Sequence, residues 1–347
     1  MALDISLLKE ICETPGAPGN EERIRKVVMR EVESLCDEMH IDNIGNLICL
    51  KKGRSDKRVM VAAHMDEISF IIQHIDDDGF ARVHTLGGFD PKTLTAQRVI
   101  VHGKEDVIGV MGSKPIHIMK PDERTKMPGI KDYFIDFGMP VEKVKALIDV
   151  GDVVTRERSL IEMGDCVNSK SIDNRISVFI LIEALRNMGQ PAHDFYACFT
   201  VQEEIGLRGA HVAAHSINPD FGIGLDTTIA YDLPGASDWE TVTTLGKGTA
   251  VKIMDSSVVC DQRMVRYMRS TADKHKIKWQ HEILPAGGTD TAMLQRGGKQ
   301  GAITGCISIP TRHIHSVIEM AHKEDIQNSI DLLCRCLEEI DGYNWGW

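Results

Sequence analysis

The chain has 347 residues, of which 42% are hydrophobic and 26% are charged, and its formal net charge is −11. A chain of this length and hydrophobic content can bury a substantial core in one large domain or in two. The negative charge argues against nucleic acid or an anionic membrane as the main partner.

The N-terminal part of the chain predicts two helices, a hairpin and a buried strand. Apolar residues at helical spacing predict amphipathic helices over 4–13 and 20–36, separated by a break rich in proline and glycine at 15–19. A turn signal within 39–51 predicts a hairpin, and the apolar run 58–64 predicts a buried strand.

The character of the sequence changes after residue 67. Short alternating strands are predicted between turns, at 68–75, 80–85, 97–103 and 107–111. A single helix-like stretch, 140–149, interrupts them. An all-β segment inside an α/β chain predicts an inserted domain over 68–165, so that residues 1–67 and 166–347 form one discontinuous domain.

Helices and strands alternate again from Asp173 onward, which predicts an α/β fold with an open sheet. The predicted elements are a buried helix at 176–185, a strand at 194–202, a helix at 207–216, a strand at 220–225, a helix at 261–275, a strand at 279–284, a helix at 289–296, a strand at 301–307 and a final helix at 323–340.

The absence of a recognisable targeting signal and the cysteine usage predict a cytoplasmic protein. The first ten residues include acids and lack the long apolar core of a secretory signal peptide. No apolar run approaches the roughly 20 residues that a membrane-spanning helix needs. The nine cysteines are scattered, without the spacing of a zinc or redox motif, and this favours reduced thiols.

Acidic and histidine side chains stand at the ends of several predicted strands. They are His64, Asp173, Glu203, Glu204, Asp226 and His315. Ligands of open α/β sheets gather at the carboxyl ends of the strands, and these three residue types are the nitrogen and oxygen ligands of divalent metals. The pattern therefore predicts a metal hydrolase.

Each of these residues also has an ordinary structural interpretation. A histidine that ends a buried strand is often a hydrogen-bonded core residue, but Asp66 follows His64 by two residues, on the same side of an extended chain. Its carboxylate can therefore orient the imidazole. Asp173 can cap a helix, and Glu203 and Glu204 can form a solvated acidic loop. The combined set at strand ends favours a metal site.

Seven short motifs along the chain carry a family resemblance. They are Ala-His64-Met-Asp66-Glu, Ser-Ile-Asp173-Asn-Arg175, Gln-Glu203-Glu204-Ile-Gly-Leu-Arg-Gly-Ala, Gly-Leu-Asp226, Leu-Gly-Lys-Gly248, Gly-Gly-Thr-Asp290 and Arg-His-Ile-His315-Ser. In combination they resemble the M42 metallo-aminopeptidases, over essentially the whole chain. The resemblance implies an open mixed sheet flanked by helices, with a small inserted β-barrel.

The resemblance also implies two divalent metal ions in each subunit. Asp173 would bridge both ions, His64 and Asp226 would complete one site, and Glu204 and His315 would complete the other. Two such ions, roughly 3.5–4 Å apart, lower the pKa of a bridging water and polarise the scissile carbonyl. The mixed nitrogen and oxygen ligand set suits zinc, cobalt or manganese.

Two further roles and two departures follow from the same resemblance. Glu203 would be the general base, and Asp66 would stand behind His64. His313 occupies a position where the family pattern leads us to expect tyrosine, and we expect this change to alter the substrate pocket. Asn174 occupies a position where a second aspartate is expected. Neither departure removes a ligand.

The family is cytoplasmic and forms assemblies, so the resemblance implies a homo-oligomer. The inserted barrel would make subunit contacts, and dimers would assemble into a tetrahedral dodecamer. Exposed strand edges in a detached β domain need to be covered. Such a shell would admit short peptides and exclude folded proteins.

Three functions remain open from the sequence. They are a two-metal aminopeptidase acting on short peptides, a two-metal amidohydrolase that deacylates N-acyl amino acids, and a non-enzymatic assembly protein. The last is disfavoured because no ligand position has been lost. A glycosidase needs carboxylates about 5–9.5 Å apart, which the adjacent Glu203 and Glu204 rarely provide. Acidic, aliphatic and basic N-terminal side chains all stay possible.

Overall fold

The computed structural model describes residues 3–346. The α-helices in this range are α1 (Ile5–Glu13), α2 (Glu22–Val32), α3 (Pro121–Arg124), α4 (Val141–Leu147), α5 (Ile172–Asn187), α6 (Arg208–Ile217), α7 (Gln262–His275), α8 (Thr291–Arg296) and α9 (Lys323–Glu339). Short 3₁₀ turns lie at Pro91–Leu94, Ile116–Ile118, Ile130–Asp132 and Ile340–Gly342. No helix between residues 3 and 346 is long and apolar enough to cross a bilayer.

The strands form one large sheet and one closed barrel. In chain order they are β1 (Glu38–Ile41), β2 (Leu47–Lys51), β3 (Arg58–His64), β4 (Ser69–Ile75), β5 (Ala81–Leu86), β6 (Arg98–His102), β7 (Asp106–Ser113), β8 (Tyr133–Asp136), β9 (Val153–Arg156), β10 (Ile161–Met163), β11 (Cys166–Ser169), β12 (Asp194–Thr200), β13 (Phe221–Ile229), β14 (Thr249–Met254), β15 (Trp279–Ile283), β16 (Ile303–Arg312) and β17 (Glu319–His322).

Four parallel strands form the centre of the large sheet. They lie in the order β12, β3, β13 and β16, and each neighbouring pair runs in parallel. Antiparallel strands extend the sheet on both sides, with β2 beside β12 and with β14 and β17 beside β16. Because the four central strands share a direction, their carboxyl ends meet at one edge of the sheet.

Helices cover both faces of the large sheet. Along β3, Val59 and Val61 belong to the core that α1, α2, α5 and α9 share. Met60 and Ala62 belong to a second core, formed with α6 and α8. Alternate residues of a strand point to opposite faces, so the two helix layers lie on opposite sides of the sheet. Helix α5 is buried along nearly its whole length, as expected of a helix without a polar face.

A closed six-stranded barrel lies between β3 and β10 in the chain. Its strand order is β4, β5, β8, β7, β6 and β9, all antiparallel, and β9 pairs with β4 to close it. Phe70, Val99, Ile135 and Val154 are among the residues of its own apolar core. The barrel therefore has a hydrophobic core separate from the cores of the large sheet.

The fold class predicted from the sequence is confirmed, since an open mixed sheet flanked by helices carries an inserted all-β barrel. The predicted strand 58–64 has the bounds of β3. The prediction of a single helix between 68 and 165 was wrong, because α3 forms one turn that is too short to show helical periodicity. Strands β8, β9, β10, β11, β14 and β17 were not predicted either, and all but β14 have four residues or fewer.

Candidate metal centre

The carboxyl ends of the central parallel strands bring the predicted site residues together. His64 is the last residue of β3, Glu203 and Glu204 follow β12, Asp226 lies in β13, and His315 follows β16. All of them line one cavity of about 690 Å³. The position at the carboxyl edge of the parallel strands agrees with the sequence analysis.

Asp173 lies between two histidines that come from different parts of the chain. Its Oδ1 atom is 3.4 Å from Nε2 of His64, and its Oδ2 atom is 3.4 Å from Nε2 of His315. The start of helix α5 is interrupted at Asp173 and Asn174, whose backbone angles are not helical. A single carboxylate thus presents one oxygen to each histidine.

Two groups of potential metal ligands share Asp173. One contains His64 and Asp226, and the other contains Glu204 and His315. His64 Nε2 is 3.9 Å from Asp226 Oδ1, and His315 Nε2 is 3.6 Å from Glu204 Oε2. Two ligands about 2.0–2.2 Å from a tetrahedral zinc are about 3.4 Å apart. The spacing and the donor types therefore fit two divalent ions.

Glu203 lies at the same centre and is 8% exposed. Its Oε2 atom is 3.8 Å from Nε2 of His64, and it forms a third possible ligand group with His64 and Glu204. The geometry therefore allows both a ligand role and a catalytic role for Glu203. Since Glu203 and the side chain of Glu204 are buried, the interpretation of this pair as a solvated loop was wrong.

Burial and neighbouring charges shift the pKa values of the site. Burial, together with the charge of Asp173, raises the pKa of Glu204 to about 8. Burial also raises the pKa of Asp226 to about 8. Burial alone would lower the pKa of His315, but the adjacent Asp173 and Glu204 carboxylates raise it to about 10. These three groups hold protons more tightly than isolated side chains do, whereas the pKa of Asp173 is lowered, because its burial is outweighed by hydrogen bonds from His315 and His64.

Asp66 supports the centre from behind. Its two carboxylate oxygens accept hydrogen bonds of 3.0 Å and 3.1 Å from the backbone amides of Glu203 and Glu204. His64 Nδ1 lies 3.1 Å from the backbone oxygen of Asp66 and 3.5 Å from its Oδ1. The sequence analysis predicted that Asp66 contacts His64. In the structure Asp66 also anchors the loop that carries Glu203 and Glu204.

The rest of the cavity wall is mixed in character. Phe89, Ile229 and Leu284 supply apolar surface. Lys252 also lines the cavity, although it is buried and paired with Asp255 at 2.9 Å and with Glu282 at 3.0 Å. The sequence analysis did not identify this pair of contacts, because nothing in the local pattern marks Lys252 as a cavity residue.

His313 and Asn174, the two departures from the family pattern, do not face the cavity. His313 is exposed and is not among the described residues that line the cavity, so the expected effect on the pocket has no structural support. Asn174 is buried, and its amide donates to the backbone oxygen of Leu225 at 2.8 Å. It therefore supports β13 next to Asp226.

Glu319 is a residue of the centre that the sequence analysis missed. It is 1% exposed, and its carboxylate accepts hydrogen bonds from the backbone amides of Asp173 and His315. An acid four residues after a predicted ligand histidine was the available signal. Its partner Asp173 lies far away in the sequence, so the contact could not be predicted.

The family model described as M42 glutamyl aminopeptidase matches residues 45–332. Because this match covers most of the chain, the chain belongs to the M42 glutamyl aminopeptidase family. Membership makes the chain a hydrolase of the aminopeptidase type, and a metallopeptidase family implies divalent metal ions.

Two curated relatives match nearly the full length. A putative aminopeptidase of Acetivibrio thermocellus is 37% identical over 333 residues, covering 95% of this chain and 97% of the relative. A lysyl aminopeptidase of Pyrococcus furiosus is 35% identical over 351 residues, covering 97% of this chain and 98% of the relative.

Solved structures with the same fold include tetrahedral aminopeptidases. A TET aminopeptidase from a marine sediment Thaumarchaeota archaeon has a TM-score of 0.94 and 33% identity, with 98% of both chains covered. The Pyrococcus horikoshii TET1 peptidase has a TM-score of 0.87 and 30% identity, with 96% of this chain and 99% of that chain covered. That peptidase can assemble into a tetrahedron or a large octahedral shell.

Proposed function

We propose that this protein is a two-metal aminopeptidase that removes the N-terminal residue from short peptides. The observation that carries the proposal is the placement of Asp173, whose two carboxylate oxygens each lie 3.4 Å from a different histidine. A carboxylate is one of the few side chains that can bind two ions at once. A site for one ion would not need two histidines on opposite oxygens.

Asp173, His64 and Asp226 would hold one ion, and Asp173, Glu204 and His315 would hold the other. When bound, two divalent ions lower the pKa of a water molecule and polarise the scissile carbonyl. Zinc, cobalt and manganese are all compatible with this ligand set. The positions of the proposed ligand side chains are fixed because their strands and helix α5 are buried.

Glu203 is proposed as the general base. Burial raises its pKa well above the usual value, so the carboxylate holds a proton readily once it has accepted one. It would take the proton of the attacking water and deliver it to the leaving amine. The hydrogen bond from its own backbone amide to Asp66 fixes the loop that carries it.

The cavity beside the centre suits the first residue of a peptide. Its volume of about 690 Å³ and its apolar residues Phe89, Ile229 and Leu284 can enclose a side chain. The two curated relatives that match nearly the full length carry aminopeptidase names, and this favours exopeptidase activity over deacylation.

Chromogenic aminoacyl amides with a free amine, compared with their N-acetylated counterparts, test the proposed activity. The metal-loaded protein is expected to hydrolyse only the free-amine substrates. Faster hydrolysis of the N-acetylated substrates would favour the amidohydrolase alternative. A panel of acidic, aliphatic and basic aminoacyl amides would then establish the preferred side chain.

We also propose that the protein assembles through the segment 68–165, as an inserted domain of the catalytic unit formed by 1–67 and 166–347. Strand β7 of the barrel exposes Ile108 and Val110, with 61% and 46% of their surface accessible. Contiguous exposed apolar side chains on a barrel are typical of a protein interface. The tetrahedron formed by the Pyrococcus horikoshii relative supports dimers that assemble into a tetrahedral dodecamer.

A further inference from the structure

The backbone of His315 is hydrogen-bonded on both sides by buried charged residues. Its amide donates to Oε1 of Glu319 at 2.8 Å, and its carbonyl oxygen accepts from Nη1 of Arg156 at 3.2 Å. Glu319 and Arg156 are each 1% exposed. His315 has a left-handed backbone with φ of 63°, which is uncommon for a residue other than glycine and has to be imposed by its surroundings.

Glu319 connects His315 to Asp173 as well. Its Oε2 atom accepts a hydrogen bond of 2.9 Å from the backbone amide of Asp173. The carboxylate therefore bridges two proposed ligands of the same ion through their backbones. Only a carboxylate can accept at both ends in this way, because an amide carries a donor at one end.

Arg156 connects the barrel to the metal centre. It is the last residue of β9, and its guanidinium lies over the ring of Phe89, 5.4 Å from the ring centroid. Phe89 lines the cavity. The Nε and Nη2 atoms of Arg156 are buried and have no hydrogen-bond partner in the described part of the chain. The buried guanidinium of Arg156 is held in place by the nearby acids and by its one hydrogen bond to the backbone oxygen of His315.

The other proposed ion position has a different construction. His64 and Asp226 both lie within central strands of the large sheet, where ladder hydrogen bonds fix them. Among residues 3–346, no barrel residue forms a hydrogen bond with either of them. The two ion positions therefore differ in what holds their histidine. The sheet holds His64, whereas Glu319 and Arg156 hold His315.

We propose that Glu319 and Arg156 are positioning residues that fix His315, so that the ion position of Asp173, Glu204 and His315 depends on the attachment of the barrel. The ion position of His64 and Asp226 shares only Asp173 with this arrangement, so it depends on the barrel less. The inference rests on the proposed two-metal function, and it adds that the barrel strand β9 controls one of the two metal affinities.

Glu319→Gln is the first test, because it conserves volume and removes one of the two acceptors. Metal-free protein is equilibrated with zinc at buffered concentrations, and bound zinc is measured by mass spectrometry. We expect the parent to bind two equivalents, and the variant to keep one with nearly parental affinity while the other weakens about 10–100-fold, the usual cost of losing such a support. Circular dichroism of the metal-free variant checks that it is folded.

Asp325→Asn is the matched control. Asp325 is a buried carboxylate whose two oxygens accept from the backbone amides of Gly246 and Gly248, each at 2.7 Å. It has the same chemistry as Glu319 but no contact with a proposed ligand. Both zinc equivalents are expected to keep parental affinity in this variant, even if its melting temperature falls.

Arg156→Met and Arg156→Lys provide an independent test that does not depend on the folding of Glu319→Gln. The Met variant should weaken the same single equivalent, and the Lys variant, which restores the charge, should weaken it less. Two equivalents with parental affinity in both Arg156→Met and Glu319→Gln would overturn the inference, and so would equal weakening of both equivalents. A parent that binds fewer than two equivalents would instead overturn the two-metal function and, with it, this inference.

Discussion

The backbone amide of Glu203 donates a hydrogen bond of 3.0 Å to Oδ1 of Asp66. Through this contact the residue proposed as general base is tied to the segment that carries His64. The second oxygen of Asp66 holds the amide of Glu204 in the same way. The orientation of the acidic loop therefore depends on the strand next to it in the sheet, and the loop is part of a preorganised centre.

The first prediction separates Glu203 from Glu204. Glu203→Gln is expected to keep both metal equivalents, while kcat falls by roughly 10²–10⁴, the usual effect of losing a general base. Glu204→Gln is expected to weaken one equivalent, because a neutral amide oxygen is a poorer ligand than a carboxylate. Metal stoichiometry and kcat are measured on both variants, which serve as controls for each other. Parental turnover by Glu203→Gln would refute the proposed mechanism.

The second prediction concerns the shared ligand. Asp173→Ala should lose both metal equivalents, because its two oxygens serve both positions. His315→Ala should lose mainly one. The matched control is His313→Ala, an exposed histidine two residues away that does not line the cavity, and it should keep both. Equal metal content in the Asp173 and His315 variants would argue against a bridging carboxylate.

The third prediction concerns pH. In the metal-free protein the pKa values of Glu204, Asp226 and His315 are about 8, about 8 and about 10. All three exceed the unfolded values of about 4.3, 3.9 and 6.5. The folded form therefore binds more protons than the unfolded form between about pH 7 and 9, so its free energy of unfolding falls as the pH rises.

Bound metal ions replace these protons. The free energy of unfolding of the metal-loaded form therefore does not fall in this way as the pH rises. We expect the difference in melting temperature between loaded and metal-free protein to widen from about pH 7 to about pH 9. Differential scanning calorimetry of both forms measures it at each pH. A constant or narrowing difference would contradict the account of the centre.

The fourth prediction concerns assembly. Light scattering of the metal-loaded protein should give a particle near twelve times 38.6 kDa, and the metal-free protein should give a dimer if assembly needs metal. Ile108→Glu places a charge on the exposed apolar face of the barrel and should reduce the particle mass. A stable monomer at micromolar concentration in saturating metal, or an unchanged mass for Ile108→Glu, would count against assembly through this face.

The residues of the centre could be predicted because each stands beside a strong local pattern. His64 ends an apolar strand and Glu203 follows another, and the rule that parallel strands share a carboxyl edge places them together. Glu319 and Arg156 could not be predicted in this way. Their roles come from contacts with His315 and Asp173 that connect different parts of the fold, and local periodicity carries no information about such contacts.

The barrel was harder to predict than the sheet for a related reason. Strand β9 has four residues, Val153–Arg156, and pairs with both β4 and β6. A run this short does not show a clear alternation of apolar and polar residues. Its place in the fold depends on closure of the barrel, which requires partners on both sides.

Metal removal and restoration test the central claim most directly. The protein is stripped with a chelator, shown to be metal-free by mass spectrometry, and assayed on a free-amine aminoacyl amide before and after titration with zinc, cobalt or manganese. We expect no hydrolysis by the metal-free protein and recovery that saturates at two equivalents per subunit. Full activity in the verified metal-free preparation, or complete recovery at one equivalent, would contradict a two-metal centre built around Asp173.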